Sequence, residues 1–206
     1  GGVGVACAEA LSRAGVGRLT LVDNDTVSLS NINRQIVALH STVGQPKTAA
    51  LRARLLDINP ACDIEEKNLF FDQSTADSID FSVFDYVIDA IDTVSAKLLL
   101  VERARAAGTP ILCCMGTGNK LEPTRLRISA IEKTSVCPLC RVMRRELRAR
   151  GIAGVRVLWS DESPCVPIQQ LSENGRHPPG SVSFVPPVAG MILAGQVVRE
   201  LAGLAG

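Results

Sequence analysis

Aromatic side chains are scarce in this sequence, where they make up 3% of 206 residues and include a single Trp and a single Tyr. Unpaired bases bind proteins largely by stacking on aromatic rings, so this scarcity argues against a dedicated single-strand binder, although not against transient RNA contact. Long apolar runs are also absent, since no segment approaches the roughly 18 consecutive apolar residues of a membrane span. No charge of one sign dominates, because 22 basic residues face 21 acidic ones. The net charge therefore favours neither nucleic acid nor an acidic membrane as a partner.

What the sequence does contain is enough apolar material for one sizeable core: 46% of residues are hydrophobic and 21% are charged. We expect a single domain over residues 1–206. The cysteines number seven, an odd count, and most lie in apolar runs as buried free thiols do, which predicts a reducing compartment and a cytoplasmic location.

The chain opens on the glycine-rich sequence Gly1-Gly2-Val3-Gly4. A glycine turn that cradles phosphate is useful only when a preceding strand holds it in place. We therefore expect the sequence to begin inside a longer protein, with the N-terminal strand missing.

Strand and helix patterns alternate over residues 1–118, the half in which we expect nucleotide binding. Helical spacing covers residues 5–14, 46–59 and 94–107, and short apolar strands are predicted at 18–22, 63–69, 86–88 and 110–115. Such alternation is typical of an α/β fold with a Rossmann-like, mostly parallel sheet.

The pattern changes over residues 119–206, the half in which we expect substrate and dimer contacts. Residues 125–129 alternate polar and apolar side chains, as a half-exposed antiparallel strand does, and residues 139–150 form a basic amphipathic helix. A stretch rich in Pro, Ser, Gly and Gln between Pro164 and Pro187 predicts a long loop or crossover before an apolar helix at 188–201. The C-terminal half is therefore α+β in character.

The glycine turn, with Gly2 and Gly4, indicates a nucleotide without saying which one. Backbone N–H groups at a helix N-terminus suit the phosphates of nicotinamide, flavin and adenine nucleotides alike. Asp23 ends the next strand about twenty residues on, where an acid accepts hydrogen bonds from ribose hydroxyls. A helix or turn cap is the alternative role for Asp23.

The segment that follows is more specific. Residues 23–35, Asp-Asn-Asp-Thr-Val-Ser-Leu-Ser-Asn-Ile-Asn-Arg-Gln, resemble the ubiquitin-activating, MoeB, ThiF and HesA family, in which an acidic strand end is followed by a Ser-Asn and an Arg-Gln pair. The resemblance implies ATP as cosubstrate and acyl-adenylate formation, with Asp23 on the ribose and Asn31 and Arg34 near the phosphates. It implies further ATP-site residues in the same segment: Ser30, Asn33 and Gln35.

Two further residues have implied roles at the phosphates. Lys47 stands at a helix start, where a cation gains nothing from the helix dipole, and a bound anion would explain it. Asp92 follows a strand, at the sheet edge where open α/β folds bind ligands. The resemblance assigns Lys47 to the ATP phosphates and Asp92 to Mg²⁺, and makes Arg34, Lys47 and Asp92 the catalytic set. Asp89, nearer the strand body, is expected to be structural.

Cys137-Pro138-Leu139-Cys140 has the spacing of half a zinc site, but the sequence has no second Cys-x-x-Cys pair. Two buried or helix-start thiols are the alternative to a zinc site. A third alternative is that one cysteine forms a thioester with the substrate, although no cysteine lies in a sequence context that favours this role.

The segments 133–148, 159–162 and 180–186 are similar to one branch of the family, the tRNA threonylcarbamoyladenosine dehydratases or TcdA branch. That similarity implies adenylation of a carboxylate in modified tRNA, ring closure by an internal nitrogen, and a homodimer. We expect the basic helix to bind the phosphates of tRNA through four arginines, Arg141, Arg144, Arg145 and Arg148. The alternative is that this helix face is only exposed to solvent. The alternative substrate is the C-terminal glycine of a ubiquitin-like sulfur-carrier protein.

Overall fold

The structure is a computed structural model that describes residues 1–165 and 179–204. Its helices are α1 (Gly2–Arg13), α2 (Lys47–Ile58), α3 (Val94–Ala106), α4 (Pro138–Ala149) and α5 (Val185–Leu201). Its strands are β1 (Arg18–Val22), β2 (Asp63–Lys67), β3 (Val87–Asp89), β4 (Ile111–Cys114), β5 (Leu126–Ala130) and β6 (Arg156–Ser160).

The strands form a mostly parallel arrangement. β1 pairs in parallel with β2, and a four-stranded sheet has the order β3-β4-β6-β5, in which β5 alone is antiparallel to its neighbour. Helices connect the parallel strands, because parallel neighbours need a long crossover. The predicted α/β class is confirmed, including the antiparallel strand of the C-terminal half.

Three elements differ from the sequence prediction. α5 begins at Val185 rather than at residue 188, because prolines are tolerated in the first turn of a helix. α1 begins at Gly2 rather than after the glycines, since the Gly1 carbonyl already accepts the Val5 N–H at 3.0 Å. β6 was not predicted, and it occupies a central position between β4 and β5. Most of the predicted loop between Pro164 and Pro187 lies outside the described residues.

α5 packs directly against α1 and closes one face of the sheet. Gly190 makes this approach possible: a Cβ placed there would lie 2.4 Å from the Val3 carbonyl oxygen and 2.8 Å from the Cys7 nitrogen. Leu193 and Val197 continue the contact into a core shared with Cys7 and with side chains of β4 and β6. α5 thus holds in place the helix that begins with the glycine turn.

Within the described ranges, no helix is long and apolar enough to cross a membrane.

Thiol accessibility gives a direct check on this packing. Cys165 is exposed, whereas the other six cysteines are buried and free. Burial also raises the pKa of Cys7 and of Cys114 to about 12, which leaves little thiolate at neutral pH. We expect iodoacetamide to modify Cys165 first in the folded protein and the other six only in denaturant, as read by peptide mass spectrometry. Labelling of a Cys165→Ser variant at the same early rate would contradict the packing.

Candidate active site

The glycine turn of the sequence prediction is the first turn of α1 in the structure. A Cβ on Gly2 would come within 3.2 Å of the Arg34 carbonyl oxygen and 3.1 Å of Pro186 Cβ, which is tighter than ordinary contact. A Cβ on Gly4 would touch Ala90 Cβ at 3.5 Å. The glycines therefore let three distant chain segments approach the N-terminus of α1, whose free N–H groups attract anions.

Asp23 follows β1 and faces this turn, with its Oδ2 3.4 Å from the Gly1 nitrogen. Its Oδ1 accepts the Asp25 N–H at 2.9 Å, so the carboxylate also caps a local turn. Lys47 is buried at the start of α2, and its Nζ lies 2.6 Å from Asp25 Oδ2. The anion that Lys47 faces here is thus a carboxylate of the protein, with 60% of the Asp25 side chain exposed.

The segment after Asp25 is held together by its own polar side chains. Asn31 is buried and its Oδ1 accepts the Ser28 N–H at 3.1 Å, while the Ser28 and Ser30 hydroxyls lie 2.9 Å apart. Asn33 donates from Nδ2 to the Ser181 carbonyl at 2.8 Å. Asn31, Ser30 and Asn33 therefore shape the segment.

Arg34 and Gln35 end this segment in different environments. Arg34 donates from Nη1 to the Ser30 carbonyl at 2.9 Å and to Asn33 Oδ1 at 3.0 Å, which orients its guanidinium, and its Cγ would lie 3.4 Å from a Cβ on Gly2. Gln35 is 4% exposed, and its Oε1 has no hydrogen-bond partner among the described residues. The structure thus brings Arg34 close to Gly2 and buries Gln35.

The two aspartates that follow β3 have contrasting surroundings. Asp89 is fully buried and pairs with Lys97 at 2.8 Å, in keeping with its expected structural role. Asp92 is exposed, and its Oδ1 accepts a hydrogen bond from the Thr93 hydroxyl at 3.2 Å. Ala90, between them, contacts the glycine turn. Asp92 therefore follows β3 two residues after the contact of Ala90 with the α1 N-terminus.

The arginines of α4 lie on a separate element that packs against α3. Arg144 is partly buried and donates to the Thr134 carbonyl and hydroxyl at 2.7 and 2.6 Å, and Arg145 pairs with Glu146 at 2.8 Å. Arg141 and Arg148 are exposed, and neither has an ion pair in the described part of the chain. Of the four arginines in the predicted patch, Arg144 and Arg145 thus bind other groups of the protein, whereas Arg141 and Arg148 form no ion pair among the described residues.

Cys137 and Cys140 lie at the start of α4, in a buried cluster with Met143. The Cys140 thiol donates to Cys137, and this bond, together with backbone N–H groups including that of Gly116, lowers the pKa of Cys137 below its ordinary value. Residues 1–165 and 179–204 contain no cluster of three His, Cys, Asp or Glu side chains suited to a metal ion.

Sequence reasoning did not identify several residues that shape this site. Asp25 was quoted within the motif but not recognised as the partner of Lys47, and Lys97 carried no local signal because one lysine in a helix usually points to solvent. Ser181 and Pro186 reach the site from a distant part of the chain, which no local pattern reveals.

Comparison with known proteins gives concordant matches. A model of the ThiF family matches residues 1–205. The tRNA threonylcarbamoyladenosine dehydratase of Bacillus subtilis strain 168 is 43% identical over 212 residues, covering 98% of this chain and 84% of that protein. The molybdopterin-synthase adenylyltransferase of Escherichia coli strain K12 is 40% identical over 112 residues, covering 54% of this chain and 45% of that protein.

A solved structure shares the fold. The crystal structure of E. coli tRNA N6-threonylcarbamoyladenosine dehydratase, TcdA, in complex with ATP superposes with a TM-score of 0.88 at 31% identity. The match covers 98% of this chain and 83% of that chain.

Proposed function

This chain belongs to the ThiF family, and on that premise we propose that it uses ATP to adenylate a carboxylate, namely that of threonylcarbamoyladenosine in tRNA. The observation that carries the proposal is the approach of Arg34 and Ala90 to the N-terminus of α1, which Gly2 and Gly4 permit. A phosphate bound there would meet the N–H groups of the helix and the guanidinium of Arg34. Asp92 follows Ala90 by two residues and would approach the same phosphate. The dehydratase name of the Bacillus subtilis relative, which aligns along nearly the whole chain, supports the choice of substrate.

Each residue has a role that its chemistry suits. The N-terminus of α1 receives the phosphates, and Asp23 accepts hydrogen bonds from the ribose hydroxyls, as an acid at the end of the strand after the glycine turn does. Arg34 neutralises charge that builds on the α-phosphate while the substrate carboxylate attacks and pyrophosphate leaves. Lys47 reaches the phosphates by exchanging its Asp25 contact for theirs.

Asp92 fits a magnesium ion, because its carboxylate is exposed and accepts a single, long hydrogen bond from Thr93. Mg²⁺ needs only one or two carboxylates beside phosphate oxygens and water. Bound there, the ion would offset the negative charge of the triphosphate.

The second half of the reaction needs no enzyme nucleophile. A nitrogen within the adenylated substrate attacks the acyl carbon, gives up its proton and expels AMP, so a ring closes. The substrate thereby loses the elements of water, and the oxygen leaves on AMP. An intramolecular nucleophile already has the proximity that covalent catalysis would otherwise provide. The burial of six of the seven thiols agrees with this route, and free thiols support a cytoplasmic location.

The deciding experiment measures AMP and pyrophosphate released from ATP by the protein. Threonylcarbamoyl-modified tRNA, unmodified tRNA and a ubiquitin-like sulfur-carrier protein are added in turn, and the modified nucleoside is analysed by mass spectrometry for loss of water. AMP release with modified tRNA alone supports the proposal. Release only with the carrier would replace it with a sulfur-carrier activator.

The exposed arginines of α4 are the proposed tRNA contact. Arg141 and Arg148 are seven residues apart, hence on one helix face, and both are exposed. We expect the Arg141→Gln/Arg148→Gln variant to bind tRNA more weakly and to lower the salt dependence of log K by about 2, one for each lost phosphate contact. Arg18→Gln, which removes an exposed arginine paired with Asp63, is the control. Equal salt slopes for both variants and the parent protein would place tRNA elsewhere.

A homodimer is also part of the proposal. Exposed apolar side chains are concentrated in the segment after β1, with Leu29 63%, Leu39 51% and Val43 41% exposed. A monomer gains nothing from exposing them, and such concentrations mark contact surfaces. We expect light scattering to give twice the chain mass for the parent protein and the chain mass for Leu29→Glu/Leu39→Glu.

A further inference from the structure

Asp89 and Lys97 form an ion pair with no exposure to solvent: Lys97 Nζ lies 2.8 Å from Asp89 Oδ2, and both side chains are 0% exposed. Taking two charges out of water is costly, and a hydrocarbon pair of similar volume often stabilises a fold equally well or better. The stability of the fold therefore does not explain this pair.

The second oxygen of Asp89 contacts the chain that leaves β3. Its Oδ1 accepts the Ile91 N–H at 2.9 Å. Ala90, inside the turn so formed, is the residue that meets Gly4. The orientation of Asp89 thus fixes the turn that touches the N-terminus of α1.

Lys97 secures the same turn from its other end. Its backbone N–H donates to the Thr93 carbonyl at 3.0 Å in the first turn of α3, while its side chain reaches back to Asp89. Burial alone lowers the pKa of Lys97, but the Asp89 carboxylate raises it above its ordinary value overall, so the amine is charged. Residues 90–92 are therefore clamped between β3 and α3.

We propose that Asp89 and Lys97 are positioning residues of the adenylation site, which hold residues 90–92 so that Asp92 faces the phosphates at the α1 N-terminus. This inference rests on the proposed function. It assigns the pair no contact with substrate, because both side chains are fully buried. Its effect on the reaction is transmitted through the backbone of the turn.

Two double variants separate positioning from stability. Asp89→Leu/Lys97→Met removes the charges and the acceptor for the Ile91 N–H, whereas Asp89→Asn/Lys97→Met removes the charges and keeps an acceptor oxygen. We expect the Leu/Met protein to have a thermal midpoint close to that of the parent and a kcat for ATP–pyrophosphate exchange lower by about 100-fold, the cost of a displacement near 1 Å. KM for ATP should change by less than about threefold, because the loss lies in the transition state.

The Asn/Met protein should recover most of that kcat. A Leu/Met protein that is stable and turns over at the parent rate would overturn the proposal, as would an Asn/Met protein no more active than the Leu/Met one. If the Leu/Met protein does not fold, the Asn/Met protein decides alone, and a kcat more than about tenfold below the parent's would count against positioning.

A readout independent of activity separates this inference from the proposed function. Amide hydrogen exchange at Ile91 should be faster in the Leu/Met protein than in both the parent and the Asn/Met protein. If the parent protein shows no exchange of pyrophosphate, the proposed function fails, and the amide measurement still tests the clamp. Unchanged protection at Ile91 would reject it.

Discussion

Replacing Arg34 with alanine is expected to lower the rate of pyrophosphate release by about 100- to 1,000-fold, the usual cost of removing one donor from a transition state that gains charge. Arg34 is oriented by the Ser30 carbonyl and Asn33 Oδ1 through one nitrogen, Nη1. Within the described residues, its other nitrogens donate no hydrogen bonds. The variant therefore removes the donor and keeps the segment that carries it.

The fold should tolerate this change. Arg34 is only half-buried, and its partners are exposed, so we expect the free energy of unfolding to change by less than about 1 kcal/mol. Arg34→Lys is the matched control: it keeps the charge but loses the planar fork, and should fall between the parent and Arg34→Ala. Parent-like turnover by Arg34→Ala, measured at saturating ATP, would remove Arg34 from the catalytic set.

Replacing Gly190 with alanine is expected to give the largest loss of stability of any single methyl addition in α5. The new Cβ would lie 2.4 Å from the Val3 carbonyl oxygen and 2.9 Å from Ala6 Cβ, and the nearest atom belongs to backbone that cannot rotate away. Overpacking of this kind costs about 1–3 kcal/mol, and α1 must shift to relieve it. For a chain of this length, we expect the thermal midpoint to fall by roughly 5 °C.

α5 supplies its own control for that experiment. Gly195 lies one and a half turns further along the same helix, and a Cβ there would meet nothing within 4 Å. Gly195→Ala should therefore stabilise the protein by up to about 1 kcal/mol, because alanine favours the helix. The two variants should have opposite signs in thermal denaturation. A loss of stability of equal size in both would point to helix backbone effects rather than to the α1 contact.

The sequence identified well the parts of the fold that depend on local pattern. β1 was predicted with its observed bounds, and α3 and α4 within a residue or so, because each has a periodic apolar face and a clear stop. β6 was missed because it is buried on both faces and lacks an alternating pattern. A short apolar run in the interior of a sheet does not distinguish a strand from other buried chain.

The candidate site likewise contains residues that local pattern predicts and residues that it does not. Asp23, Arg34 and Asp92 were identified from motif and strand ends. In the structure, Asp23 lies 3.4 Å from the Gly1 nitrogen and Arg34 approaches Gly2, while the role of Asp92 stays a prediction. Their supports could not be found this way. The neighbours of Gly2 come from segments remote in sequence, and the pairing of Asp89 with Lys97 depends on how α3 packs against β3. Only the structure shows which arginines of α4 bind other groups of the protein and which do not.

The contact between α1 and α5 joins the two ends of the described chain. α1 spans Gly2–Arg13, whereas its neighbour spans Val185–Leu201. A ribosome that has released the chain only as far as β6 therefore leaves α1 with its inner face uncovered. Contacts between such remote segments form late, since the intervening chain must first be ordered. Nucleotide binding by the nascent protein should accordingly begin only after α5 has left the exit tunnel, and a stalled chain that ends before Val185 should bind no ATP.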